Sequence, residues 1–160
     1  MEESNTSLFA NEREANLEST VAMVEDVLIE LGHFVNECRR ERPGSAEAWT
    51  IRKGSASIEV DLVEYPKGYR LRVSATVMTL GSEVNREALF ARLLALNAVE
   101  ITGAAFALQD PEVQLLGERT TLDLDRGELR ELVDTVRNFA DEFDDKLVEE
   151  FGGTLGRRAD

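Results

Sequence analysis

The sequence predicts an α+β domain of two layers, an antiparallel sheet with flanking helices in the order α-β-β-β-α-β-β-α. Three observations carry this. Apolar residues recur at helical spacing in three separate stretches, around Val24, Leu93 and Val136. Between the first two, "SIEVDLVEYPKGYRLRVSA" alternates apolar and polar residues on either side of a Pro-Gly turn, which is the period of paired strands. The 160 residues, 42% apolar and 31% charged, suit one globular domain. A domain of this size buries roughly 70% of the surface its unfolded chain exposes and needs no disulfide or metal to hold a core. It is expected over residues 16–151, with a flexible arm over 1–15 and a flexible tail over 152–160.

The first helix follows from Val21, Val24, Leu28, Leu31 and Val35, spaced by three and four on one face. Ser19 and Thr20 are each able to cap its start. Gly32 is the expected stop. The alternative is a helix that runs through Gly32 to Arg40, because Val35 and Cys38 keep the register. "RRERPGSAEA" then reads as a polar loop.

Three strands follow. Trp49 and Ile51 begin the first, and "RKGS" turns it into the second, where Ile58, Val60 and Leu62 share one face and Glu59 and Asp61 the other. "YPKGY" makes the next turn. Tyr69, Leu71, Val73 and Ala75 then alternate with Arg70, Arg72 and Ser74. Glu59 and Asp61 are expected to pair across strands with Arg70 and Arg72 on a solvated face.

The second helix is expected from about Glu83 to Asn97. Leu89, Leu93 and Leu96 form one stripe, and Phe90 and Leu94 widen it beyond the ~100° that a single sheet face requires. "ITGAAFAL" and "VQLLGERTT" read as strands joined by the turn "QDPE". Asp125 caps the last helix, with Glu128 three residues on as in a capping box. Leu129, Leu132, Val133, Val136, Phe139, Phe143 and Leu147 form its inner face, and its outer face is acidic.

The charge balance restricts function. Lys and Arg total 18 against 32 Asp and Glu, a net charge of −14. Such a chain is repelled by a duplex or an anionic membrane, so no direct nucleic-acid or membrane binding is expected. The two "RR" pairs, Arg39-Arg40 and Arg157-Arg158, are flanked by acids or lie in the tail. Cys38 is the only cysteine, so no internal disulfide forms, which fits a reducing cytoplasm. The polar, acidic N-terminus lacks the features of a signal peptide, and no apolar run approaches the ~20 residues of a membrane span.

No residues point to catalysis, a cofactor or a metal. His33, the only histidine, has no Cys or His partner at ligand spacing and reads as structural. Cys38 has Arg39 and Arg40 beside it to lower its pKa, but no partner base. "DEFDD" at 141–145 lacks the glycine and spaced ligands of a calcium loop and reads as a solvated helix face. In "ITGAAF" the glycine follows a helix and opens a strand, the reverse of a phosphate cradle.

Binding to protein is the remaining reading. Residues 93–109 contain no Lys or Arg and a single acid. The helical half is expected to lie against the sheet and a second subunit, and the Ala-rich half beneath something that packs closely on it. Phe90, Leu94, Ala105, Phe106 and Ala107 are the expected protein-interface residues. Trp49, Phe90 and Phe106 read either as core aromatics or as interface anchors. The over-wide second helix predicts a homodimer, whose interface typically buries over about 2,000 Å² if obligate. A small α+β ligand-binding domain or enzyme is the alternative, and it requires a pocket with convergent polar groups.

Three stretches carry a family resemblance: the apolar helix ending in Gly32, "LFARLLALN" closing at Asn97, and "VQLLGERTTLDLDRGELRELVDTVRNFADEFDDKL". Over about residues 16–151 the chain resembles the CesT-like type III secretion chaperones and their relatives, the YbjN family of bacterial sensory-transduction regulators. The resemblance implies an acidic, dimeric, non-catalytic adaptor that binds an extended segment of another protein on apolar patches and along sheet edges. For YbjN-type relatives it implies a looser link to stress and regulation.

Overall fold

The computed structural model of the protein describes residues 2–156, and of residues 2–10 only the backbone. The elements are α1 (Glu2–Glu30), α2 (Val35–Cys38), β1 (Arg39–Arg40), β2 (Ser45–Lys53), β3 (Ala56–Tyr65), β4 (Gly68–Thr79), α3 (Arg86–Val99), β5 (Ala105–Gln109), β6 (Glu112–Thr120), α4 (Arg126–Phe151) and β7 (Thr154–Leu155). The strands form one antiparallel sheet in the order β1-β2-β3-β4-β6-β5, with β7 added beside β4. This is the expected α+β class.

Strand alternation builds the core. Ile51, Ile58, Ala75, Leu115 and Phe106 stand in register across β2, β3, β4, β6 and β5, and all are buried. Trp49, Val60 and Val73 make a second buried row beside them. α4 lays Leu129, Leu132, Val133, Val136, Ala140, Phe143 and Leu147 against this face, and α1 adds Val24, Val27 and Leu28. Each buried Val, Leu, Ile or Phe among them contributes about 1.5–3 kcal/mol relative to leaving it exposed, and Ala75 and Ala140 contribute less.

The helix ends follow local chemistry. α1 stops in a Schellman turn: Gly32 has φ +86°, His33 N–H donates to Leu28 O at 3.0 Å, and Gly32 N–H to Ile29 O at 2.9 Å. The helix therefore does not run on to Arg40, and Val35–Cys38 is a separate short turn. Asn85 caps α3 by accepting from Ala88 N–H at 3.1 Å. The capping box of α4 forms as expected between Asp125 and Glu128.

Five expectations are corrected. The region read as an arm is helical from Glu2, so α1 does not start at Ser19 or Thr20. Thr20 is buried and its hydroxyl donates to Asn16 O at 2.7 Å, a bond inside the helix rather than a cap. Arg13 and Asn16 tie this part of α1 to the sheet side, through Glu64 at 2.8 Å and the Thr121 carbonyl at 3.1 Å. The tail is likewise structured in part: Thr154 and Leu155 pair with Thr79 and Met78. Met1 and residues 157–160, Arg157 and Arg158 among them, lie outside the described residues.

The polar loop before Trp49 is a hairpin in which Arg39 and Arg40 pair with Trp49 and Ala48, and β2 starts at Ser45. From that hairpin Arg42 reaches over the polar sheet face and bonds Asp61, which is buried and also accepts from Ser45 Oγ at 2.7 Å. The expected solvated face is thus covered at Asp61. Asp61 stands in register with Arg72 as foreseen, but Arg70 and Arg72 both pair with Glu118 on β6. The reason is topological: β6 lies beside β4, and Arg72 faces Glu118 directly.

Candidate partner-binding surfaces

The first surface is built by α3 and the edge strand β5. Leu89, Leu93 and Leu96 fill the core side of α3, and Phe90 packs half-buried beside them. Leu94 remains 69% exposed and Val99 82%. Ala91, Ala95 and Ala98 are exposed on the same helix, so its outer side is largely apolar, with Arg86 and Glu87 in its first turn and Arg92 as its exposed charges. This is the excess width that the leucine spacing predicted. Arg86 pins the start of α3 to the β5–β6 turn by a two-pronged bond to Asp110, at 2.6 and 3.2 Å. The Arg86 hydrogen bond holds the Asp110 carboxyl below its ordinary pKa.

The five expected interface residues divide. Leu94 and Ala105 are exposed, and Phe90 and Ala107 are half-buried. Phe106 is only 7% exposed and meets Phe143 of α4 edge-on, ring centres 5.8 Å apart. It belongs to the chain's own core, because alternation along β5 turns it towards α4. The close packing expected over the alanines is also displaced. Nothing in the described chain covers Ala105, whereas Ala104 packs half-buried against the core. Trp49, left open between core and anchor, is fully buried, with Arg39 over its ring.

The second surface is one that the sequence reading missed. Ile29 and Phe34 flank the turn that ends α1 and are 59% and 75% exposed. Phe34 fits neither the inner face of the helix up to Leu31 nor the Val35–Cys38 register, which is the signal that marks it. The short α2 leads directly into β1, and β1 accompanies β2 only at Ala48 and Trp49, leaving Thr50–Lys53 beyond its end. Arg39 braces this corner by pairing with Glu25 on α1 at 2.6 Å and Glu47 on β2 at 2.8 Å.

The side chains considered for chemistry are held in structural roles. Cys38 is buried, and burial raises its thiol pKa against the opposing pull of Arg40. That disfavours the thiolate a reactive cysteine needs. Burial first, and Arg137 second, lower the pKa of His33, whose Nε2 has no hydrogen-bond partner among the described residues. The "DEFDD" stretch is not simply a solvated face. Asp144 is buried, accepts from Ser55 Oγ at 2.6 Å, and so fastens the β2–β3 turn to α4. Among the described residues no group of His, Cys, Asp and Glu is placed to hold a metal, and no helix is long and apolar enough to cross a membrane.

Charge is partitioned by layer. α1 contains eight acids and one Arg, and α4 nine acids and four Lys or Arg, so −12 of the net −14 lies on these two helices. From Arg86 to Gln109 there are two bases and two acids, so the α3–β5 surface is neutral.

A sequence model of the family described as "T3SS (YopN, CesT) and YbjN peptide-binding chaperone 1" matches residues 18–158. The chain belongs to this family. The resemblance read from its three stretches is thereby shown, and the fold agrees. A chain of the solved HopA1–SchA chaperone–effector complex is similar at a TM-score of 0.57 and 10% identity, over 82% of this chain and 97% of that one. A chain of the ExsC–ExsE complex matches at a TM-score of 0.48 and 16% identity, over 63% of this chain and 76% of that one. No curated protein sequence matches the chain. The peptide-binding chaperone family thus supplies a class of function, a binding module for another polypeptide.

Proposed function

We propose that this member of the peptide-binding chaperone family is a non-catalytic homodimer that holds an extended segment of another protein. It acts in the cytoplasm as a chaperone-like or regulatory adaptor, with a stress-related role as the resemblance to YbjN-type proteins implies. The observation that carries the reading is the presence of two separate exposed apolar surfaces on a strongly acidic chain. The neutral α3 surface, with Leu94 at its centre, meets a second copy. The Ile29–Phe34 corner, beside the part of β2 that extends past β1, receives the client segment. An extended chain laid along β2 gains main-chain hydrogen bonds there, and apolar side chains find Phe34.

The test is co-purification from the native cell with the wild type and with Phe34→Asp, followed by protease protection of what is bound. The reading expects one recurrent polypeptide, protected over a short segment, that is lost with Phe34→Asp. The same bound set with both proteins contradicts it.

A further inference from the structure

The edge strand β5 is closed by a side chain. Gln109 and Glu112 flank the turn between β5 and β6, and pairing then alternates along the hairpin. The alternation turns the N–H and C=O of Phe106 and Leu108 outward, away from β6. Asn97 of α3 occupies this position at Phe106: Phe106 N–H donates to Asn97 Oδ1 at 2.7 Å, and Asn97 Nδ2–H donates to Phe106 O at 3.2 Å. One side-chain amide therefore supplies both bonds that a residue of an added strand would make. Leu108 remains as the other outward position on β5.

We infer that Asn97 decides how β5 meets other chains, by denying it strand addition. An unguarded edge strand is a template for another chain, and natural sheets block such edges by several devices. With Asn97 in place, a partner at the α3–β5 surface, a second copy included, docks through side chains such as Leu94. Strand pairing is left to the far side of the sheet. The inference rests on the reading of the chain as a partner-binding module.

The test uses Asn97→Ala in the full chain, with sedimentation, circular dichroism and amide exchange read together. The folded variant should lose protection at the Phe106 amide by about tenfold, the order expected for one lost hydrogen bond. Its mass should grow with concentration beyond the wild-type mass, with intermolecular strand contacts across β5. The double variant Asn97→Ala/Leu108→Pro removes the other outward N–H and should return to the wild-type mass. Folded Asn97→Ala that keeps the wild-type mass throughout overturns the inference. So does a double variant that still associates as strongly as Asn97→Ala, since loosened packing rather than strand pairing then drives assembly. If Asn97→Ala does not fold, Asn97→Ser is read the same way, and failure of both to fold makes the amide a folding contact only and also overturns the inference. A monomeric wild type in the same runs counts against the proposed function without bearing on Asn97.

Discussion

Leu132 on α4 rests directly on Gly117 of β6: a Cβ at Gly117 would stand 2.5 Å from Leu132 Cδ1 and 2.8 Å from the Gly103 carbonyl oxygen. The leucine has rotamers to use, but the carbonyl belongs to backbone. Gly117→Ala is therefore expected to destabilise by about 1–3 kcal/mol, the usual penalty of overpacking. Urea denaturation checks it, and an unchanged midpoint shows that the layer has slack.

The acidic stretch of α4 separates into a buried and an exposed carboxylate. Asp144 fastens the β2–β3 turn through Ser55, so Asp144→Ala should cost about 1.5–3 kcal/mol, the range for a hydrogen bond to a charged group. Glu142, exposed and, among the described residues, paired with Lys146 one turn on, should shift stability by less than about 0.5 kcal/mol when changed to Ala. Equal effects in denaturation would contradict the assignment of Asp144 as a fastening residue.

His33 gives a pH dependence. Its pKa in the folded chain lies below the ordinary 6.5, so the unfolded chain takes up this proton at higher pH than the folded one. Its contribution to stability is fully present above 6.5 and is lost as pH falls through the folded value. Urea midpoints should fall between about pH 7.5 and about pH 5.5, above the range where most carboxylates titrate, and His33→Gln should flatten that fall. An identical fall in the variant assigns the effect elsewhere.

Ala105 is exposed in the chain, so Ala105→Arg should leave the stability of a single subunit within about 0.5 kcal/mol. If Ala105 is covered in the dimer, the same change weakens association. Denaturation and sedimentation of this variant separate the two. A large loss of stability at dilutions where the protein is monomeric would mean that something in the chain packs over β5 after all.

The sequence made the core legible because its signals are periodic. Ile58, Val60 and Leu62 alternate, Asp125 and Glu128 form a box, and Leu89, Leu93 and Leu96 make a stripe, so those elements stand where spacing placed them. The first half of α1 escaped because "NEREANLES" offers only Ala15 and Leu17 as apolar residues, two apart and so without a helical period, and its anchors, Glu64 and Thr121, are distant in sequence. β1 and β7 are two residues long, too short to alternate. Glu118 as partner of Arg72 depended on β6 lying beside β4, which no local pattern encodes. Of the expected interface residues, Leu94 and Ala105 stand exposed on the single chain, where the missing charge had been read as cover. Phe106 does not, because lack of charge marks a core strand and a docking strand alike. Phe34 needed the opposite inference, from an aromatic residue without a place on any inner face.

Two copies joined through the neutral face of α3 are the centre of this account, and sedimentation equilibrium of the wild type against Leu94→Asp tests it most directly. Leu94 is exposed, so the variant should fold with a wild-type denaturation profile for the single subunit. A carboxylate at the middle of an apolar interface is left without a partner, which costs several kcal/mol per buried charge. The account predicts twice the chain mass for the wild type at micromolar concentration and a single chain mass for Leu94→Asp. A wild type that sediments as a monomer, or a folded Leu94→Asp that remains dimeric, would contradict it.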